Sequence, residues 1–181
     1  MTTASGKAAE LERQALAAYR RGDLAGARDD YLAARAAYDS SGDALKAAEM
    51  ANNLCVVLVG LGRGAEAVSV VQGTRQVFTE AGDLPNAARA SGNLAAALEA
   101  AGELEAAATA YQTALDGLRA AGDRASESQT WQALSRLQLR RGDPLAAAAS
   151  AQAALDANPR PGPVRRFLRG LLDRAYRLPR P

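Results

Sequence analysis

Apolar and small side chains fall along this chain in columns that repeat every 40 residues. One column reads Ala27, Ala67, Ala107 and Ala147; seven residues on, another reads Ala34, Thr74, Ala114 and Ala154; a third reads Ala15, Cys55, Ala95 and Ser135. Large residues hold matching positions, with Tyr31, Val71 and Tyr111 in one set and Leu54, Leu94 and Leu134 in the other. Small side chains at fixed points let two helices approach closely, while large ones fill the ridges and grooves between them. Glycine marks the same rhythm at half the period: Gly22, Gly42, Gly62, Gly82, Gly102, Gly122 and Gly142 are spaced by 20 residues without a slip. Five are followed by aspartate (Asp23, Asp43, Asp83, Asp123, Asp143), one by Glu103 and one by Arg63. Glycine closes one helix in the left-handed conformation, and aspartate caps the free amides that open the next, its charge complementing the helix dipole.

The pattern predicts eight helices, near 4–21, 24–40, 44–60, 65–80, 84–100, 104–120, 124–140 and 144–157, joined by turns short enough to make neighbours antiparallel. The joint Gly60-Leu61-Gly62-Arg63-Gly64 lacks the capping aspartate and is expected to be looser. The run Asn158-Pro159-Arg160-Pro161-Gly162-Pro163 must end the series. A ninth helix is predicted near 164–177, with Val164, Phe167, Leu168, Leu171, Leu172, Ala175 and Leu178 on one side and Arg165, Arg166, Arg169, Arg174 and Arg177 filling most of the rest.

Composition narrows the function. About a quarter of the 181 residues are alanine, which favours helix and argues against an all-β fold. There is no histidine, which removes the commonest general base and metal ligand. The single cysteine, Cys55, allows neither an internal disulfide nor a thiolate cluster; it sits in a small-residue column and reads as a buried apolar side chain. No phosphate-binding Gly-Lys-Ser/Thr loop occurs, and no cofactor or metal is expected. Acid pairs such as Asp29-Asp30 fall on solvated helix faces. The net charge of +2 hides an uneven distribution: residues 160–181 carry about +6 and residues 1–159 about −4. No nucleic-acid partner is expected from so small a net charge, and no membrane partner, because no span is apolar enough to cross a bilayer. With no signal peptide pattern at Met1, a cytoplasmic protein is expected. Twenty of the 22 basic residues are arginine, which with the alanine content suggests a GC-rich bacterial genome.

In its last 40-residue unit the chain shows Trp131, Leu134, Ser135, Gly142-Asp143, Ala147, Ala154 and Pro159 in the register of the tetratricopeptide-repeat motif. Residues 4–159 resemble that family, in a longer-helix variety similar to that of kinesin light chains, cell-polarity adaptors and bacterial peptide-sensing regulators. The resemblance implies an all-α fold: a right-handed solenoid of four helix hairpins, about 4–43, 44–83, 84–123 and 124–159, then a linker at 160–163 and a basic amphipathic segment at 164–181 that caps the open end. It also places the first helix of each hairpin on the concave surface, with Trp131 in the core.

The residues so directed inward are Arg13, Leu16, Asn52, Asn53, Val56, Arg89, Asn93, Gln129, Gln132 and Arg136. Asn53 and Asn93 share a column in which related members bond the backbone of an extended peptide; an asparagine supplies both donor and acceptor. Their alternative role is to bond neighbouring helices or face water. Arg13, Arg89, Arg136 and Arg140 would add positive charge for a partner's carboxylates. Asn53 and Arg89 fit two positions of the family's chaperone-tail clamp, but Glu12, Leu16 and Asn93 occupy others, so that clamp is not expected. Gly92, inside a helix, either admits a ligand backbone beside Asn93 or allows close helix packing. The expected function is a non-catalytic adaptor that binds a peptide or partner helix in the groove. The alternatives are a scaffold that self-associates through the solenoid ends or the C-terminal helix, and a peptide-signal sensor.

Overall fold

The computed structural model describes residues 4–158 of the chain. Among the described residues it is all helix and turn: α1 (Ala4–Arg20), α2 (Leu24–Ser40), α3 (Ala44–Gly60), α4 (Gly64–Val71), α5 (Thr74–Glu80), α6 (Leu84–Ala101), α7 (Leu104–Ala120), α8 (Arg124–Arg140) and α9 (Pro144–Ala157). The segment 164–177, with Arg165, Arg166, Arg169, Arg174 and Arg177, lies outside the described residues.

Each joint is built as the glycine spacing predicts. The seven periodic glycines have φ between 69° and 87°. At the first joint the Gly22 amide donates to the Tyr19 carbonyl at 3.0 Å, and the Asp23 amide reaches back to Ala18 at 3.0 Å. This bond pair satisfies the carbonyls left open at a helix end, and it recurs at every later joint. Asp23, Asp43, Asp83, Asp123 and Asp143 each accept from the amide three residues on, at 2.9 to 3.1 Å. Glu103 and Arg63 make no such capping bond.

The joint at Gly62 is nonetheless tight, contrary to expectation. It closes with the same pair of bonds, Gly62 to Val59 at 3.0 Å and Arg63 to Leu58 at 2.8 Å. Gly64 then lies so close to the end of α6 that an added Cβ would stand 2.3 Å from the Ala101 nitrogen. Backbone packing takes over where the cap is missing.

A second correction concerns the single helix predicted over 65–80. It is broken into α4 and α5 by Gln72 (φ −58°, ψ 128°) and Gly73 (φ 86°). The β-branched run Val68, Val70, Val71 weakens the helix before the break. The buried Thr74 hydroxyl holds the new start, 2.8 Å from the Val71 carbonyl and 3.3 Å from Asn52 Oδ1. The redirected α5 buries Phe78 with Ala48, Ala87 and Ala90.

The helices stack in order. α1 packs on α2, α6 on α7 and α8 on α9, while α3 packs on both α4 and α5. The pairs meet through α2 with α3, α4 with α6, and α7 with α8, and the first helices adjoin directly, α3 against α6 and α6 against α8. Among the described residues the main contacts of each pair are with its neighbours, which is the plan of a solenoid. The core is lined by alanine, with Leu54, Leu58, Leu115 and Leu134 between, and all four leucines are at most 1% exposed. Cys55 is fully buried; burial pushes its thiol up to about 12, and its sulfur lies 3.5 Å from the Asn93 carbonyl. Trp131, expected in the core, is half-buried and packs on the cluster around Leu134 and Leu137.

Candidate functional site

Because α3, α6 and α8 adjoin, residues spaced three and four apart on them form one continuous face. Two neighbouring concavities open on it. The smaller, about 290 Å³, is lined by Glu49, Asn52, Asn53, Asn86, Arg89 and Asn93, with buried Phe78 behind. The larger, about 380 Å³, shares Arg89 and Asn93 and adds Gly92, Ala96, Gln129 and Ala133, with Tyr111 and Leu118 from α7. The break at Gly73 contributes directly, since it is α5 that carries Phe78 to this place.

Of the residues predicted to form a groove, the structure gathers five here: Asn52, Asn53, Arg89, Asn93 and Gln129. Asn52 is only 8% exposed, and its side-chain oxygen accepts from Thr74, so it is half committed to the fold. The Asn53 and Asn93 side-chain amides make no hydrogen bond with any described residue, and Asn53 is exposed. Arg13 and Leu16 on α1 line neither concavity; Arg13 pairs with Glu10, and Leu16 is exposed, as is Val56 on α3. Gln132 and Arg136 line a third concavity of about 400 Å³, between α8 and α9, with Ala151 and Leu155.

The arginines are mostly spoken for, which sequence reading did not foresee. Arg89 bonds Asp123 Oδ2 through Nη2 at 2.6 Å and Nε at 3.1 Å. Partial burial pushes the Asp123 carboxyl up, but bonds from Arg89 and Ser126 outweigh it and hold the group below its usual range. Arg140 bonds Glu99 at 2.7 Å, and Glu99 also accepts from the Tyr111 hydroxyl at 2.9 Å. Burial, then the Glu99 charge, raises the Tyr111 phenol, against the opposing pull of Arg136 and Arg140. A similar chain near α1 joins the Tyr38 hydroxyl to Glu12 at 2.7 Å and Lys46 to Glu12 and Glu49 at 3.4 and 2.7 Å. Burial and the bond to Glu12 push Tyr38 up to about 12.

Glu127 also escaped sequence reading. It is 3% exposed, between Arg119 at 3.4 Å and Arg124 at 3.6 Å. The signal was present: it stands where the two preceding repeats carry Ala47 and Ala87. Among the described residues no helix is long and apolar enough to cross a membrane.

The family description "Tetratricopeptide repeat" matches residues 46–120. Over that stretch the chain is similar to tetratricopeptide repeats. Among solved structures, the crystal structure of BtubC (BKLC) from P. vanneervenii is similar, with a TM-score of 0.68 and 20% identity over 92% of this chain. This chain spans 65% of that protein's length. MamA 41-end from Desulfovibrio magneticus RS-1 aligns with a TM-score of 0.49 and 19% identity, over 83% of this chain and 94% of that one. No curated protein matches the sequence. Tetratricopeptide repeats are in general non-catalytic protein-interaction modules.

Proposed function

We propose that this chain is a non-catalytic adaptor that holds an extended peptide segment across the first helices α3, α6 and α8. The observation that carries the reading is the Asn53–Asn93 pair. Both side-chain amides lie on one face, one repeat apart, in adjoining concavities, with no hydrogen-bond partner among the described residues. A primary amide donates and accepts at once, so two in succession match the alternating N–H and C=O groups of an extended backbone. Gln129 continues the series on α8. The bonding alternative for the two asparagines, to neighbouring helices, finds no support in the hydrogen-bond pattern.

Peptides selected on the wild-type chain from a random display library provide the test. The double variant Asn53→Ala with Asn93→Ala removes two hydrogen-bonding groups, each contributing about 1 kcal/mol, so affinity is expected to fall about tenfold or more. Equal affinity of the double variant and the wild type, measured by fluorescence anisotropy, would remove the groove assignment.

A further inference from the structure

We propose that the larger concavity seats one apolar side chain of the bound peptide, with Gly92 as its floor and an acidic residue of the peptide beside that anchor. The inference rests on the groove reading above and names what the groove selects.

Gly92 lies in the middle of α6, where glycine is a poorer helix former than alanine. Its backbone does not call for glycine, because it is absent from the residues with positive φ. Packing does not call for it either: an added Cβ would meet only the Ala114 Cβ, at an ordinary 3.8 Å. The contrast with Gly117 is plain, where a Cβ would come within 2.8 Å of Ala88. What the missing side chain at Gly92 leaves is part of the 380 Å³ space.

That space has the makings of an anchor site. Gly92, Ala96 and Ala133 give it a small apolar lining, together with Leu118, 1% exposed. Asn93 and Gln129 stand at its border, placed to bond the peptide backbone on either side of the anchor. Its volume exceeds that of a leucine or methionine side chain, and burial of such a group is a favourable, non-directional contribution. No carboxylate lines it, and its one charged lining residue, Arg89, is already paired with Asp123. One turn beyond Ala133 on α8, Arg136 makes no ion pair with any described residue. An acidic residue next to the apolar anchor complements this charge.

The full-length chain and twelve-residue random display peptides serve for the experiment. Selected peptides are expected to share a Leu, Met, Ile or Phe with an Asp or Glu within three positions; selection without that pattern overturns the proposal. One selected peptide is then measured by anisotropy. Gly92→Leu fills the space, and affinity is expected to fall at least about tenfold. Gly92→Ala is expected to raise the thermal midpoint by a few degrees while weakening binding several-fold, a combination that a structural glycine would not give. Arg136→Glu is expected to weaken binding as well. Unchanged affinity in Gly92→Leu, or in Gly92→Ala should the leucine variant not fold, overturns the proposal. Loss of binding in the Asn53/Asn93 double variant with full binding in Gly92→Leu sinks the anchor site alone; full binding in the double variant sinks the groove reading itself.

Discussion

Asp123 does two jobs with one carboxylate. Oδ1 caps α8 by accepting from the Ser126 amide at 3.1 Å, and Oδ2 receives Arg89 at 2.6 Å, tying the first helix of one pair to the next. Asp123→Ala loses the cap and is expected to cost about 1 kcal/mol or somewhat more. Asp123→Asn keeps a good cap and isolates the charge. The Arg89 side chain is 52% exposed, so this second variant is expected to lose less than about 1 kcal/mol. The carboxyl is held below its ordinary value of 3.8 in the folded chain, so its stabilising charge is fully present above that value. It is lost as pH falls through the lowered folded value. Urea titrations across pH should therefore show the gap between wild type and Asp123→Asn steady at neutral pH and closing below about pH 4.

At the level of the helix, the decisive feature is the break between α4 and α5. Amphipathic spacing over 65–80 is compatible with one rod, and the sequence alone suggests one. Two local groups decide otherwise: Gly73, which takes φ 86°, and Thr74, whose hydroxyl meets the Val71 carbonyl and the Asn52 side chain. Gly73→Ala is expected to destabilise the chain by about 1 to 2 kcal/mol, the penalty of the left-handed conformation for a residue with a Cβ. A more stable Gly73→Ala chain in urea unfolding would mean that α4 and α5 form one continuous helix. The break shapes the proposed site because it sets the direction of α5 and so puts Phe78 behind the smaller concavity.

Over the whole molecule, stability is distributed pair by pair. One core cluster, including Leu54, Leu58 and Tyr31, serves the α1–α4 end, and another, around Leu115, Leu134 and Leu137, serves α6–α8. Because the main contacts of each pair are with its neighbours, a local defect should stay local. Leu134→Ala removes a fully buried side chain and is expected to cost about 2 to 5 kcal/mol. Hydrogen exchange should then quicken in the α8 and α9 amides while those of α1 to α3 keep their protection. Uniform acceleration along the chain would show a single cooperative unit instead.

The sequence by itself determined the seven joints and the helices between them, apart from the break at Gly73. Glycine φ and aspartate capping are local physics, settled within six residues, so a spacing of 20 could be read directly as helix, turn, helix. The small and large columns gave the pairing for the same reason, since close packing of two helices constrains side-chain size at fixed positions. The tetratricopeptide resemblance then pointed to the face along which α3, α6 and α8 adjoin. Only the tertiary structure decided which residues on that face are free. Arg89 meets Asp123 34 residues away, and Asn52 meets Thr74 22 residues away. Such partners are set by how neighbouring pairs stack, which no column records. The same stacking left the Asn53 and Asn93 side chains without hydrogen-bond partners among the described residues and left open space beside Gly92, because a side chain's availability depends on what the rest of the fold brings to it.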